Sequence, residues 1–472
     1  MTTTAPQTCD LIIRNAHILT LDAQRTVYPH GAIALRGHSI AAIGPEAAIL
    51  PAWHAPRVVD AQGGIAHPGF IDAHLHVNAQ TCRGLFRGDA SKTAGGGPSY
   101  ADWKAALRPE DEQAAAALAG IEMLRHGITT FVEPGSAFEP DAVAAATQAV
   151  GLRCSLADPY LWDDMSLMQS IPGLRSDKLE ARVPADRDRS LRLLGGQLFR
   201  NRDTDGTLHG HVAIYGEGTA SDELYRAAKA LADREGVILN SHIGFDLDLA
   251  LAMEQHWGKS RFQYLAELDV LGPNTTFVHM NLIREADIEP IRASGLSMVW
   301  CPVAHMTRGT PRREHTRLPE MHRGGVTVAL GTDSARESSA GDAGFLALHL
   351  ASAAGSPLLA EDIIEMQTLG GARAAGLSAI IGSLEPGKRA DIVLRAHSLA
   401  EMTPGVDAPH QLICVGHGPS AGTVLVNGQI VLRHGRSTRM DEAAVFAEAR
   451  ASVFRVSERI GLRPPNRWPV SV

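Results

Sequence analysis

The chain has 472 residues, of which 44% are hydrophobic and 20% charged, and its formal net charge at pH 7 is −8. This apolar content is enough for a large core and excludes an extended disordered protein. The negative charge leaves no basic surface, which argues against nucleic acid or an anionic membrane as a partner and favours a small-molecule substrate.

The cysteines and the hydropathy pattern indicate the cellular environment. Five cysteines are scattered without a CxxC pair, so a disulfide scaffold and a zinc ribbon are not expected. The start of the chain lacks a signal-peptide pattern, and no run approaches the roughly 20 apolar residues of a membrane span. We therefore expect a cytoplasmic protein.

Three segments with different hydrophobic patterns follow one another along the chain. Residues 1–64 contain short alternating runs such as "DLIIRNAHILTLD" and "GAIALRGHSIAAIG", which predict a small antiparallel sheet. From 65 to 381, apolar strands alternate with Ala-rich helical stretches, which predicts parallel βα units. Residues 382–472 return to short β runs, "ADIVLRA", "HQLICVGHG" and "GTVLVNGQIVLRHG", before a final helix. Because the β-rich ends flank one core, we expect them to pair with each other.

Five polar residues directly follow apolar runs of the βα segment. His74 and His76 end "HPGFIDAHLHV", His242 follows "VILNS", His279 follows "TTFV" and Asp333 follows "VTVALGT". In a βα barrel the carboxyl ends of the strands surround the active site. Imidazoles and a carboxylate suit zinc or ferrous iron and leave one position for water. A single histidine is more simply explained as a hydrogen-bonded core residue, but the HxH pair and the joint pattern favour a metal site.

These motifs resemble a known enzyme family. "PGFIDAHLHV" and "LGTDS" resemble the first-strand and last-strand motifs of the amidohydrolase superfamily. "TCRGLFRGD", "MLRHGITTFVE", "FVHMNLI" and "GSLEPGKRADIVL" resemble its branch of cytosine and guanine deaminases and triazine hydrolases. The resemblance implies an α/β fold: a (β/α)8 TIM barrel over 65–381 beside a small β-sandwich built from 1–64 and 382–472. It also implies a homodimer.

The resemblance assigns roles to the strand-end residues. His74, His76, His242 and Asp333 would coordinate one divalent transition metal, zinc or alternatively iron. Asp333 would also take a proton from the water that the metal activates and pass it to the leaving group. His279 would hydrogen-bond that water or polarise the substrate.

The sequence departs from the deaminase pattern at two places. Deaminases of this branch typically carry a glutamate three residues after the strand-five histidine, where this chain has Phe245. "CPVAHMT" has Ala304 and His305 where the branch commonly has Ser-Asn. Without the usual acid, the substrate stays open between an N-heteroaromatic compound and an amide-like or urea-like one.

Glu217 is the residue predicted to compensate for the missing acid. It follows the apolar run in "VAIYGEGT" and would act as the acid or bridge a second metal, although pairing with an arginine is an equally simple explanation. Asp246 and Asp248 are nearer to His242, but their predicted role is to cap a helix.

The substrate-contacting candidates come from segments near the strand ends. The Gly-rich stretch "GDASKTAGGGPSY" at 88–100 predicts a loop or lid. The candidate pocket residues are Arg83, Arg87, Phe86, Trp103, Phe245, Trp300 and His305.

The leading hypothesis is a metal-dependent hydrolase of non-peptide C–N bonds in a small molecule. One alternative is a binuclear amide or carbamate hydrolase with Glu217 as the bridging ligand. The other is a non-catalytic binding barrel.

Overall fold

The computed structural model describes residues 5–86, 97–165, 175–307, 317–334, 336–396 and 398–463, together with residue 468. Arg87 and most of the Gly-rich stretch at 88–100 lie outside these described residues, so the predictions made for them stay predictions.

The described residues contain both β-strands and α-helices, numbered separately in chain order. The strands are β1 (Gln7–Thr8), β2 (Leu11–Leu19), β3 (Val27–Arg36), β4 (Ser39–Pro45), β5 (Trp53–His54), β6 (Arg57–Asp60), β7 (Ile65–Pro68), β8 (Phe70–Asp72), β9 (Ile128–Val132), β10 (Arg153–Leu156), β11 (Leu208–Gly210), β12 (Val212–Gly216), β13 (Leu239–Ile243), β14 (Thr275–His279), β15 (Ser297–Trp300), β16 (Thr327–Leu330), β17 (Ile392–Arg395), β18 (Ala421–Val426), β19 (Gln429–Arg433) and β20 (Arg436–Ser437).

The α-helices are α1 (Glu46–Ala52), α2 (Tyr100–Ala106), α3 (Pro109–His126), α4 (Pro140–Val150), α5 (Asp177–Arg182), α6 (Arg187–Leu193), α7 (Asp222–Glu235), α8 (Leu247–Trp257), α9 (Arg261–Glu267), α10 (Glu285–Ser294), α11 (Pro302–Thr307), α12 (Leu318–Arg323), α13 (Asp342–Ala353), α14 (Ala360–Glu365), α15 (Gly371–Ala374), α16 (Ala408–His410) and α17 (Glu442–Ile460). Short 3₁₀ helices span Val77–Cys82, Leu198–Arg202 and Ala400–Met402, and π-helical turns span Met366–Gly370 and Gln411–Val415. Within the described ranges, no helix combines the length and the apolar character needed to cross a bilayer.

Helix α3 shows how the local sequence sets the bounds of an element. Pro109 occupies the first turn, where its missing N–H costs no helical hydrogen bond. The acidic residues 110–112 follow, at the end of the helix whose dipole favours negative charge. Gly127 ends the helix with a φ of 80°, a left-handed conformation that glycine adopts without steric cost. The predicted helix is confirmed.

The two chain ends form one nine-stranded sheet, which confirms that they pair with each other. Its order is β20-β19-β18-β17-β7-β2-β3-β4, with β6 also paired to β2. The ends join where β17 runs antiparallel to β7. The expectation of a purely antiparallel arrangement is wrong, because β6 and β7 run parallel to β2 after the chain has crossed over through β4, α1 and β5. The β-sandwich stays a prediction.

The middle of the chain forms two all-parallel sheets, which confirms the predicted βα organisation. Their orders are β11-β10-β9-β8 and β12-β13-β14-β15-β16. Every residue of β9, β10, β12, β13, β14 and β15 is buried. Such continuous burial is typical of parallel strands that are covered on both faces.

Two contacts connect these parallel sheets. Strands β11 and β12 are separated only by His211, so one stretch of chain pairs with both sheets. At the opposite edges, the N–H of Ala73 donates to the carbonyl of Leu330 at 2.9 Å, and Leu75 forms a parallel bridge with Asp333. The ends of the first and last core strands therefore lie side by side.

The prediction of a β run in "HQLICVGHG" is wrong. The segment forms α16 and the π-helical turn that follows it. Its apolar run is too short for periodicity to distinguish a strand from a buried helical turn. The Asp407 side chain accepts a hydrogen bond from the N–H of His410 at 3.0 Å and caps the helix, while Leu412 and Ile413 enter the core.

Candidate active site

The histidines and the aspartate predicted from strand ends converge in space. The ring centroid of His74 lies 4.8 Å from that of His76, 4.7 Å from that of His242 and 5.5 Å from that of His279. Nε2 of His76 is 3.2 Å from Nε2 of His242 and 3.3 Å from Oδ1 of Asp333. Nitrogen ligands at 2.0–2.1 Å from a tetrahedral zinc ion are about 3.3 Å apart. The observed separations fit such a site.

The cluster offers two overlapping sets of candidate ligands. His74, His76 and His242 form one set, and His74, His279 and Asp333 form the other, with ligand atoms within 4.8 Å of one another in each. The residues predicted to bind the metal and the histidine predicted to lie just beyond it are therefore brought together.

A buried aspartate that the sequence interpretation missed positions the HxH pair. Strand β8 ends at Asp72, so His74 and His76 lie in the segment that follows the strand. The Asp72 carboxylate accepts hydrogen bonds from the N–H of His74 at 3.3 Å, the N–H of Thr332 at 3.1 Å and the Thr332 hydroxyl at 2.6 Å. It thereby ties the chain leaving β8 to the chain leaving β16. The sequence feature that could have identified Asp72 is its position at the end of the apolar run "GFID".

A glycine permits the close approach of these two segments. A Cβ at Gly331 would lie 2.8 Å from the Cβ of His74 and 3.0 Å from its carbonyl oxygen. A larger residue would therefore push the "LGTD" segment away from the metal cluster.

The orientation of His242 is fixed by a backbone carbonyl. Its Nδ1 lies 2.7 Å from the carbonyl oxygen of Tyr215, which accepts and cannot donate, so Nδ1 carries the proton. Nε2 is then left with its lone pair directed toward the cluster, the arrangement that metal-binding histidines usually adopt.

The electrostatics favour the protonation states that a metal requires. Burial lowers the pKa of His74, and burial with the neighbouring histidines lowers that of His242 well below its usual range. Burial by itself would raise the pKa of Asp333, but His74, His76 and His279 hold that pKa well below its ordinary value. Metal ligands must be neutral imidazoles and ionised carboxylates. Both ring nitrogens of His74 are buried and have no hydrogen-bond partner among the described residues, so the donor set fits a divalent transition metal.

Two residues of the cluster have strained backbone conformations. His279 has a φ of 75° and Asp333 a φ of 59°, left-handed conformations that are uncommon for residues with a Cβ. Such a conformation costs on the order of 1–3 kcal/mol, and residues that retain it tend to lie at functional sites.

Glu217 lies beside the cluster and is engaged by other groups. Its Oε1 is 3.3 Å from Nη1 of Arg261, and its Oε2 accepts the N–H of Gly244 at 2.6 Å. The side chains of Glu217 and Arg261 are each 1% exposed. The arginine pairing considered as an alternative is therefore the contact that the structure contains.

The candidate substrate residues occupy different environments. The Phe245 ring lies 6.2 Å from the rings of both His242 and His279, so an apolar side chain flanks the cluster. Trp300 is fully buried and donates from Nε1 to Nδ1 of His305 at 3.1 Å. His305 lies in α11 and is 1% exposed.

The remaining candidates make structural contacts. Arg83 forms an ion pair with Glu122, with Nη1 and Oε2 2.6 Å apart. Phe86 and Trp103 are buried in a cluster with Val456 of the terminal helix α17.

The sequence interpretation also missed a series of aromatic rings that leads to the cluster. The Phe138 ring stacks on Tyr160 at 4.9 Å, Tyr160 on Tyr215 at 5.6 Å, and Tyr215 on His242 at 5.0 Å. Tyr215 belongs to β12 and follows the apolar residues 212–214, so the strand-end criterion that selected the histidines would also have selected it. Tyr160 lies four residues beyond the end of β10 and carries no such signal.

Comparison with known proteins identifies the family. Residues 65–431 match the Amidohydrolase family, and the chain belongs to it. This confirms the resemblance of the sequence motifs and makes the protein a metal-dependent hydrolase of non-peptide C–N bonds.

Two deaminases align with this chain over nearly their whole length. The chain is 27% identical to a 5'-deoxyadenosine deaminase of Methanosarcina mazei, covering 96% of this chain and 99% of the relative. It is also 27% identical to a 5-methylthioadenosine/S-adenosylhomocysteine deaminase of Pelotomaculum thermopropionicum, covering 95% and 99% respectively.

Solved structures share the fold. An adenosine deaminase from Xanthomonas campestris with bound zinc has a TM-score of 0.81 and 25% identity, covering 96% of this chain and all of that one. An atrazine chlorohydrolase from Arthrobacter aurescens, complexed with zinc, has a TM-score of 0.80 and 23% identity, covering 94% of this chain and all of that one. The zinc of the Xanthomonas structure agrees with the predicted divalent-metal cofactor.

Proposed function

We propose that this enzyme deaminates an N-heteroaromatic small molecule of the adenine-nucleoside type, with one divalent metal held by His74, His76, His242 and Asp333. The observation that carries the proposal is the convergence of these four side chains at separations that match a tetrahedral site. The activities of the named relatives support the choice of substrate class.

The reaction exchanges an amino group for a water oxygen. The oxygen bonds to the ring carbon, the exocyclic C–N bond breaks, and of the two water protons one finishes on the ring nitrogen and the other on the departing ammonia. A divalent metal bound here would supply Lewis acidity and make the water acidic.

Asp333 and His279 are the proposed catalytic side chains. Asp333 is ionised at neutral pH and its Oδ1 lies 3.3 Å from Nε2 of His76, so the carboxylate is placed to receive a proton within the cluster and return it to the leaving nitrogen. His279 would donate a hydrogen bond to the substrate or to the attacking water, from a backbone held in its left-handed conformation.

Phe245 distinguishes this site from the deaminase pattern of the branch. A phenyl ring cannot protonate the ring nitrogen, so in this proposal Asp333 must transfer both protons. The stacked rings that end at Tyr215 and His242 support a flat aromatic substrate. An amide-like or urea-like substrate is the second candidate, favoured by Phe245 alone.

The contacts of Glu217 support one metal over two. Its carboxylate is already paired with Arg261 and the N–H of Gly244. A non-catalytic barrel is disfavoured because it would not need a complete set of candidate metal ligands with neutral imidazoles and an ionised carboxylate.

The finer architecture also belongs to this proposal. We infer that the parallel sheets are halves of one closed (β/α)8 barrel, supported by the continuous stretch 208–216 and by the Leu75–Asp333 bridge. The β-sandwich, the homodimer and the cytoplasmic location rest on the sequence alone.

The test is metal content combined with ammonia release. The full chain is purified without added metal and analysed by plasma mass spectrometry, and ammonia is then measured with 5'-deoxyadenosine, an aminotriazine and a simple amide. About one equivalent of metal and release from a heteroaromatic compound support the proposal. About two equivalents favour the binuclear alternative, and none after reconstitution favours the non-catalytic one.

His76→Ala isolates the metal site. The variant should lose most bound metal and activity because it removes a ligand. His256→Ala is the matched control, since His256 is an exposed residue of α8. Full activity in His76→Ala would refute the assignment.

A further inference from the structure

Among the described residues, Lys104 is a buried amine without an anionic partner. It lies in α2 and is 3% exposed, and its Nζ lies 5.1 Å from the ring centre of Tyr100 and 5.4 Å from that of Tyr160. In the part of the chain that the structure describes, no carboxylate lies within ion-pair distance of it and no hydrogen bond to Nζ is formed. Long charged side chains are rarely buried to this extent unless they are paired.

Arg336 lies against the same ring and is a second basic residue without an ion pair to any described residue. Its guanidinium carbon lies 4.6 Å from the Tyr100 ring centre, so both positive groups lie within about 5 Å of one tyrosine. Its Nε donates to the Ser334 hydroxyl at 3.1 Å, whereas its Nη1 is buried and has no hydrogen-bond partner among the described residues. Two like charges so close together repel each other unless an anion separates them.

The surrounding groups do not neutralise these cations. Burial raises the pKa of the Cys82 thiol to about 12, so this neighbour is uncharged. The anion whose field reaches Lys104 is Asp333, which the metal site already uses. Burial and the charge of Arg336 together lower the pKa of Lys104 to about 7, the response of an amine that lacks a counter-ion.

Both cations lie near the metal cluster. Arg336 follows Asp333 by three residues in the segment after β16. Lys104 contacts the Tyr160 ring, which leads through Tyr215 to His242. The buried Tyr160 hydroxyl has no hydrogen-bond partner among the described residues and adds a donor to this region.

We propose that Lys104 and Arg336 form a subsite for an anionic oxygen group, a carboxylate or a phosphate, carried by the substrate beside its reacting ring. Such a group would give each cation its missing partner through charge-assisted hydrogen bonds. The identity of the substrate rests on the proposed function, whereas the existence of the anion subsite does not.

The test compares three monosubstituted benzenes, two of which are anionic and one neutral. Benzoate, phenylphosphonate and neutral benzamide are titrated by calorimetry into the full-length protein, both metal-loaded and metal-stripped. We expect at least one anion to bind about tenfold more tightly than benzamide, because each charge-assisted pair adds on the order of one tenfold step. A preference for benzoate identifies a carboxylate, and a preference for phenylphosphonate identifies a phosphate.

Variants locate the subsite. Lys104→Met and Arg336→Met should each remove most of the preference for the anion, whereas Lys229→Met should keep it. Lys229 provides the same change in net charge but is paired with Asp233, at 2.5 Å. Lys104→Met should also raise the thermal unfolding temperature of the ligand-free protein, because it removes an unpaired buried charge. This gain shows that the variant is folded.

Two results would overturn the subsite. One is equal binding of the anions and benzamide by the wild-type protein. The other is an anion preference that survives in both variants or requires the metal, since the anion would then bind elsewhere or to the metal itself. Because binding to metal-stripped protein needs no turnover, an inactive enzyme that shows the preference would refute the proposed function and leave the subsite intact.

Discussion

The buried pair Glu217–Arg261 provides a quantitative test of what Glu217 does. Both side chains are 1% exposed, and Oε1 lies 3.3 Å from Nη1. Two unit charges at this separation attract by about 5 kcal/mol at an effective dielectric constant of 20. Glu217→Gln keeps an acceptor for the N–H of Gly244 but leaves Arg261 with one remaining carboxylate, Glu254, whose Oε1 is 3.6 Å from Nε. Because this second partner compensates part of the charge, we expect a loss of up to about 3 kcal/mol in the free energy of unfolding.

The double variant distinguishes a structural pair from a catalytic acid. Arg261→Met removes the under-compensated guanidinium charge, so the combination with Glu217→Gln should recover part of the stability lost in the single variant. The Arg261 guanidinium also donates to the carbonyls of Asn281 and Leu282, at 2.6 and 2.7 Å, so recovery will be incomplete. If the pair only positions the loop after His242, metal content will be unchanged and activity will return with stability.

The measurements are urea unfolding of the metal-saturated protein, metal content and ammonia release. Arg14→Met is the control, because Arg14 pairs with Asp60 at the surface and is 47% exposed. Its loss should cost less than about 1 kcal/mol. Two results together would refute the reasoning. Glu217→Gln would keep its stability but lose metal or activity, and adding Arg261→Met to it would not restore them. Glu217 would then be a ligand or a proton donor.

Three further predictions concern buried positions. Burial raises the pKa of Glu112 from 4.5 to about 7, so the folded state keeps this proton after the unfolded chain has lost it, and stability from this group falls as pH rises between those values. Between pH 5 and 8, the free energy of unfolding of Glu112→Gln, measured in urea, should rise by up to about 3 kcal/mol relative to that of the wild type. Asp72→Asn removes one acceptor from Thr332 and should weaken metal binding about 10–100-fold in a chelator competition. Gly210→Ala should cost about 1–3 kcal/mol in urea unfolding, because its Cβ would lie 2.2 Å from the Gln197 carbonyl oxygen.

Each of these predictions has a control or a contradicting outcome. A pH-independent difference between Glu112→Gln and the wild type would show that Glu112 titrates normally when folded. Unchanged metal affinity in Asp72→Asn would remove its positioning role. Gly418→Ala, whose Cβ would meet nothing within 4 Å, should be nearly neutral, and a loss similar to that of Gly210→Ala would contradict the steric explanation.

The candidate metal ligands were predictable because their signal is local. Each of His74, His76, His242, His279 and Asp333 stands at the end of an apolar run, and parallel strands deliver their carboxyl ends to one place. The same rule would have selected Tyr215. The βα alternation and the pairing of the chain ends were predictable for a related reason, since hydrophobic periodicity reports which faces of an element are buried.

Contacts between residues that are distant in the chain could not be predicted. Arg261 is 44 residues from Glu217, and Arg336 approaches the Tyr100 ring from the opposite end of the core segment. "HQLICVGHG" became helical because capping and core contacts outweigh the weak preference of a short apolar run. The candidate metal ligands could be read from the amino-acid sequence, because strand-end position and side-chain chemistry are local properties. Whether a buried charge is paired or left for a substrate is set by side chains tens to hundreds of residues away, and only the folded chain brings them together.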